Sequence, residues 1–231
     1  MTRTLAAIAA LLFVSACARA DVILDDFTNP TPGSQFVIAN TNSNPYTITT
    51  DLGGGTIRTA TFTVTSPSPA GPFSLLGVVG GGSVDMFLDS TSSGNAVITH
   101  TFGAPLDIAG IGGSTGAIRL TTQSFATVGN PDVAYTLSIA TATGTLTASG
   151  SFANSAGFVD QDVAFTSLAG TGDLTQVTGL TLTVSGNTAD DFRLDKIAVT
   201  EPQQVPAPAG VFLALAALPV IGLRRYFAKK A

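Results

Sequence analysis

The chain has 231 residues, of which 45% are hydrophobic and 11% charged, which excludes a highly charged disordered polymer and allows one large β domain or two small ones. The net charge of −5 is unevenly spread. Between Asp21 and Gln204 only Arg58, Arg119, Arg193 and Lys196 stand against all fifteen acids, a balance that repels phosphate backbones and argues against nucleic acid as a partner.

Residues 1–20 read as a signal peptide. Arg3 gives the basic start, Leu5 to Val14 the apolar run, and Ala18-Arg19-Ala20 a small-x-small cleavage site before Asp21. The apolar run is too short to span a membrane stably. Cys17 is the one cysteine, so no disulfide and no thiolate metal site can form within the chain. Val14-Ser15-Ala16-Cys17 resembles a bacterial lipobox, which implies lipidation of Cys17 as an alternative mature N-terminus. Cleavage after Ala20 is the favoured reading, because valine is an unusual opening residue for a lipobox and a second anchor lies downstream.

Residues 21–200 have period two. Ala60, Phe62 and Val64 alternate with threonines 59 to 65, Val133 to Ile139 with Ala134 to Ala140, and Leu180, Leu182 and Val184 with Thr181 and Thr183. Apolar residues facing in and threonine facing water are what a half-buried antiparallel strand requires. Further strands are expected at 22–27, 36–39, 46–49, 83–88, 96–102, 118–121, 146–152, 163–167 and 192–199. Turns are expected at Gly53-Gly54-Gly55, Gly80-Gly81-Gly82, Asn130-Pro131-Asp132 and Gly170-Thr171-Gly172. Ten or more short strands predict an all-β, antiparallel two-sheet sandwich, jelly-roll-like, with an N-terminal signal peptide and a C-terminal transmembrane helix on its flanks. A β-helix fits less well, because no repeat of fixed period appears. The apolar parity slips between Leu194 and Ile197, which predicts a β-bulge near Asp195.

Two acidic segments open and close this region: Asp25 and Asp26, then Asp190, Asp191 and Asp195. First and last strands of a jelly roll often lie side by side, so these acids are candidates to converge on a structural calcium, which takes six to eight oxygens. The segments resemble those of carbohydrate-binding jelly-roll modules, in which a structural calcium often sits at such a junction. The alternative is that they are solvated turn acids, since Gly186-Asn187 before them has hairpin composition. Asp160-Gln161-Asp162 reads as a loop. His100, the one histidine, falls on the apolar parity with Ile98 and Phe102 and is expected to be a satisfied core residue. No nucleophile motif appears. Fifteen acids supply many carboxylate pairs for a glycosidase. A sugar site also calls for aromatic platforms, and with no Trp the candidates are Tyr46 and Tyr135, the phenylalanines being assigned to the core.

Residues 201–208 form a linker, in which Pro202, Pro206 and Pro208 rule out regular helix or sheet. Ala209 to Leu223 carry no charge and would span ~22 Å as a helix, short of the ~30 Å hydrocarbon core, so local thinning and snorkelling of Arg224 and Arg225 are expected. The basic end, residues 224–230, places the terminus in the cytoplasm and the acidic domain outside. Linker, apolar span and terminal arginine pair resemble the PEP-CTERM family of sorting tails, over Val205 to Ala231. Val205, Pro206, Ala207 and Pro208 stand at the family's Pro-Glu-Pro motif, with Ala207 in the glutamate position. The resemblance implies recognition and cleavage by a membrane-embedded exosortase, a Gram-negative host, and a role linked to exopolysaccharide or biofilm. A plain membrane anchor is the alternative.

These readings converge on an exported, non-catalytic surface or extracellular-matrix protein. Its precursor would be anchored in the inner membrane with a periplasmic domain, and an exosortase would then sort it to the surface or beyond. A carbohydrate-binding module or a secreted polysaccharide hydrolase is the alternative. Exosortase, membrane and extracellular polysaccharide are the expected partners, and calcium is the one cofactor suggested.

Overall fold

The computed structural model describes residues 21–28, 35–39 (backbone course only), 45–66, 74–113, 115–125 and 132–200. The signal peptide with Cys17, Ala18 and Ala20, the linker with its sorting motif, the apolar span with Arg224 and Arg225, and the turn at Asn130-Pro131 lie outside the described residues. Among the described residues no helix is long and apolar enough to cross a membrane.

The period-two pattern folds as expected into strands. In chain order these are β1 (Val22–Asp25), β2 (Gln35–Ala39), β3 (Tyr46–Gly53), β4 (Thr56–Ser66), β5 (Leu75–Gly80), β6 (Ser83–Leu88) and β7 (Ser93–Leu106). A short helix, α1 (Ile108–Gly112), precedes β8 (Ala117–Phe125), β9 (Val133–Thr141), β10 (Gly144–Phe152) and β11 (Val159–Ala164). After one 3-10 turn (Phe165–Ser167) come β12 (Ala169–Thr171), β13 (Val177–Gly186) and β14 (Asp191–Thr200). All pairings are antiparallel. Sheet I runs β11-β8-β14-β6-β5-β2, with β1 also on β14; sheet II runs β12-β10-β9-β13-β7-β4-β3.

The core lies between the sheets. Sheet II contributes Phe62, Ile98, Leu137, Leu182 and Val184, and sheet I contributes Met86, Leu120, Phe192, Leu194 and Ile197, all buried. A ring ladder joins the two: Phe152 of β10 stacks on Tyr135 of β9 at 4.6 Å and on Phe192 of β14 at 5.1 Å between centroids.

The first and last strands do pair: Val22 faces Val199, Ile23 faces Ala198, and Asp25 faces Ile197. The bulge expected near Asp195 is present as a register shift between Leu194 and Lys196. It marks a joint, because β6 flanks β14 along Asp191–Leu194 and β1 takes over from Ile197.

Three expectations are corrected, and one strand lies outside them all. Asp160-Gln161-Asp162 is not a loop but the middle of β11, where Asp162 accepts from Arg119 Nε and Nη2 at 2.8 and 2.9 Å. Gly170-Thr171 is not a turn. It forms the edge strand β12, and a Cβ at Gly170 would stand 2.4 Å from the Thr145 carbonyl oxygen, so glycine is what lets that edge approach. Gly186-Asn187 does not make a hairpin, since β13 and β14 belong to different sheets. Strand β5 was not foreseen. Its Gly77 packs face-on against the Phe62 ring, where a Cβ would come within 2.7 Å, and that glycine breaks the apolar alternation.

Candidate functional site

The acids expected to share a calcium are not brought together. Asp25 ends β1 opposite Ile197, six positions along β14 from Asp191, which is about 20 Å of extended strand. The Asp25 carboxylate turns inward. Its Oδ1 accepts from the Phe27 backbone N–H (2.8 Å) and Arg58 Nη1 (3.0 Å), and its Oδ2 from Arg58 Nη1 (2.8 Å) and His100 Nε2 (2.6 Å). Asp26 is exposed and closes a local turn onto Thr28. Asp190, far from being a solvated turn acid, is fully buried and accepts from the Asn187 N–H at 2.7 Å. Asp191 accepts from the Leu88 N–H at 3.3 Å, and Asp195 sits at the bulge. Among the described residues no three His, Cys, Asp or Glu side chains group as a metal site would need.

The Asp25–Arg58–His100 cluster is closed to solvent, each side chain being 2–3% exposed. His100 is thus a satisfied core residue, as its parity predicts. Arg58 stands opposite it in the β4–β7 register, and its guanidinium lies 5.0 Å from the Phe27 ring centroid. Phe27 holds a φ of 55°, a left-handed conformation rare for a bulky residue, fixed here by its N–H bond to Asp25. Burial pushes the Asp25 carboxyl up, but the His100 bond and the Arg58 charge outweigh it, and the carboxyl ends below its ordinary range. No substrate reaches these atoms. The cluster fastens β1 of sheet I to β4 and β7 of sheet II.

The outer face of sheet I has a different chemistry. Along β8, Ile118, Leu120, Thr122 and Ser124 face the core, while Arg119, Thr121, Gln123 and Phe125 face out. In register, Gln123 stands beside Arg193 and Arg193 beside Asp85; in the next row Phe125 stands beside Asp191 and Asp191 beside Phe87. Arg193 Nε donates to Asp85 Oδ1 at 3.2 Å. Phe158, just before β11, lays its ring 5.5 Å from the Arg193 guanidinium. Gln123 Nε2 donates to the Ala156 carbonyl at 2.9 Å, which ties the 153–158 segment to this face. A separate recess, lined by Thr122, Ser155, Val159, Asp160 and Gln161, lies on the core-side parity of the β8–β11 edge, where Gln161 reaches Tyr135 of sheet II, and is not part of this outer face. Phe125 and Phe158 remain 40% and 43% exposed, large apolar rings left in water next to planar polar groups. Burial pushes the Asp191 carboxyl up in the row between Phe125 and Phe87.

Of the two tyrosines expected as platforms, Tyr135 is buried in the ring ladder, its hydroxyl accepting from Gln161 Nε2 at 3.1 Å. Tyr46 is 43% exposed at the start of the edge strand β3. The assignment of the phenylalanines to the core is therefore corrected at Phe125, Phe158 and half-buried Phe87. A signal was present: Phe125 shares the parity of Arg119 and Gln123, and Phe87 that of Asp85.

No family model matches the chain, and no curated protein does. Among solved structures, the family 11 carbohydrate-binding module from Clostridium thermocellum, in complex with a β-1,3-1,4-mixed-linked tetrasaccharide, is similar at 14% identity and TM-score 0.41, covering 80% of this chain and 98% of the module. TmCBM61, in complex with β-1,4-galactotriose, aligns at 11% identity and TM-score 0.33 over 68% of this chain and 88% of its own. PfGH50B aligns at 11% identity and TM-score 0.39 over 62% of this chain, which spans only 22% of that protein. All three scores lie below 0.5, so nothing about ligand or activity passes from those proteins to this one.

Proposed function

We infer that this chain is an exported, non-catalytic β-sandwich that holds a neutral polysaccharide on the outer face of sheet I. One observation carries the reading: Phe125 and Phe158 offer exposed rings on the outer face of sheet I beside the part-exposed Arg193, which buried Gln123 and Asp85 flank in register. A pyranose has apolar C–H faces that leave water favourably against such rings. Its hydroxyls suit the part-exposed Arg193 guanidinium and Asp191 carboxylate, both fixed on β14. The Arg193 charge is already matched by Asp85, and the domain is acidic, so a neutral glycan fits better than a polyanion. The test is retention of the full chain on a panel of insoluble and gel-embedded polysaccharides. Phe125→Ala and Phe158→Ala are expected each to weaken retention by about 1–3 kcal/mol, roughly 5- to 150-fold, while Tyr46→Ala leaves it unchanged. Equal retention of wild type and the double phenylalanine variant would sink the reading.

Hydrolysis is the second reading. Asp85 and Asp191 lie on neighbouring strands of this face, with the Asp191 carboxyl pushed up by burial as a general acid requires. Release of reducing ends from a retained polysaccharide, lost in Asp191→Asn, would favour it.

Delivery belongs to the two ends. In this account the leader exports the chain, and the tail at Val205-Pro206-Ala207-Pro208, with Arg224 and Arg225, holds the precursor in the inner membrane until an exosortase cuts it. The sequence pattern supports this step. Terminal peptide mapping of the mature protein, with and without the host exosortase, is expected to find a C-terminus near residues 205–209 only when the enzyme is present. An intact Ala231 in both strains would leave a plain anchor. The same spectra distinguish a start at Asp21 from one at lipidated Cys17.

A further inference from the structure

The outer face of sheet II takes no part in the glycan site, and its composition is unlike an ordinary wet surface. Soluble surfaces are typically about 25–35% Lys, Arg, Glu and Asp. Here every outward residue of β4, β7, β13, β9 and β10 is uncharged, and among the described residues Asp51 on the edge strand β3 is the only acid on the face. Most outward positions are Thr or Ser.

Register turns this composition into a net. Thr49, Thr59, Thr99, Thr181, Ser138 and Thr147 stand opposite one another on six successive strands. A second row, two residues along, runs parallel to it from Thr47 to Ser149, with Val97 its one residue lacking a hydroxyl. No register shift falls within either row. Strand spacing and the two-residue repeat set the mesh at about 4.8 by 6.8 Å. Neighbouring hydroxyls are bonded within it: Thr99 to Thr181 at 3.2 Å, Thr47 to Thr61 at 3.0 Å, and Thr136 to Ser149 at 3.0 Å. Side-chain ladders of this kind restrain sheet twist, and β-branching stiffens χ1, so the backbone repeat is carried out to the hydroxyls.

Against a dissolved ligand such a face gains little, since each hydroxyl exchanges one hydrogen bond for another and no ring is present to stack. Against a solid, many weak contacts form while the cost of immobilisation is met once. The solid must be uncharged, repeat in two dimensions, and offer donors and acceptors in equal number, with voids for methyl groups. Ice is such a solid. We propose that the hydroxyl net of sheet II is an ice-binding face, separate from the glycan face on sheet I.

The experiment freezes a dilute solution of the full chain slowly onto a cold probe and compares its concentration in ice and in residual liquid. Wild type is expected to be enriched in the ice. Thr99→Lys with Thr181→Lys puts two charges at the centre of the net and is expected to abolish enrichment. The single Thr183→Lys, which leaves the Thr99–Thr181 bond in place, is expected to reduce it. Thermal melts of each variant verify folding, and Phe125→Ala serves as the control that keeps ice inclusion. Exclusion of wild type from ice, as for a non-binding protein, overturns the proposal. So does undiminished inclusion of a folded lysine variant, or exclusion from ice combined with capture by a crystalline polysaccharide through these threonines.

Discussion

Replacing Asp25 by alanine is expected to lower the unfolding free energy by about 3–5 kcal/mol, because the change leaves Arg58 buried beside His100 without its counter-charge. The carboxylate also satisfies the Phe27 N–H, so a backbone donor is stranded in the same step. Equilibrium denaturation in urea measures the loss; a change under about 1 kcal/mol would show that the cluster does not fasten the sheets. Substituting Asp25, Arg58 and His100 together by apolar residues of similar volume is expected to restore most of the stability, since what destabilises is the unpaired charge rather than the missing pair. The pH dependence has a fixed sign. The folded-state pKa of Asp25 lies below its unfolded value, so its stabilisation is complete above the ordinary carboxylate range and fades as pH falls through the folded value. Wild type should therefore lose stability in acid more steeply than the apolar triple variant.

Phe152→Ala is expected to cost about 3–5 kcal/mol. The ring is 1% exposed and lies between Tyr135 and Phe192, so its loss opens a cavity and removes two ring contacts that cross from one sheet to the other. Phe158→Ala, by contrast, removes a ring that is 43% exposed and held by one guanidinium, and is expected to change stability by about 0.5 kcal/mol or less. The pair separates core from surface phenylalanine by measurement, and a similar loss for both would place Phe158 in the structural core.

The fold was legible where alternation is strict. Threonines 59 to 65 against Ala60, Phe62 and Val64 gave β4 its two faces, and the parity slip before Ile197 located the bulge on β14. It was illegible where glycine replaces a side chain at a close approach, as at Gly77 in β5 and Gly170 in β12. The inward turn of Asp25 was hidden by a register shift between Ile23 and Asp25, which moves the carboxylate off its apparent face. Its partners were nonetheless marked. Arg58 sits on the parity of Ala60 and Phe62, and His100 on that of Ile98, so two basic side chains on dry faces called for a buried acid. The outer face of sheet I carried the converse mark, phenylalanine on the wet parity at positions 87 and 125. Convergence of the closing acids could not be judged from spacing, because Asp191 and Asp25 border opposite halves of the same strand.

The outer face of sheet I is tested most directly by amide chemical shifts, titrating the isotope-labelled chain with an oligosaccharide cut from whichever neutral polysaccharide retains it. Saturating shifts are expected to be confined to Gln123, Phe125, Phe158, Arg193 and their strand neighbours on the outer face of sheet I. Shifts centred elsewhere, or no retained polysaccharide to titrate, would contradict glycan binding there.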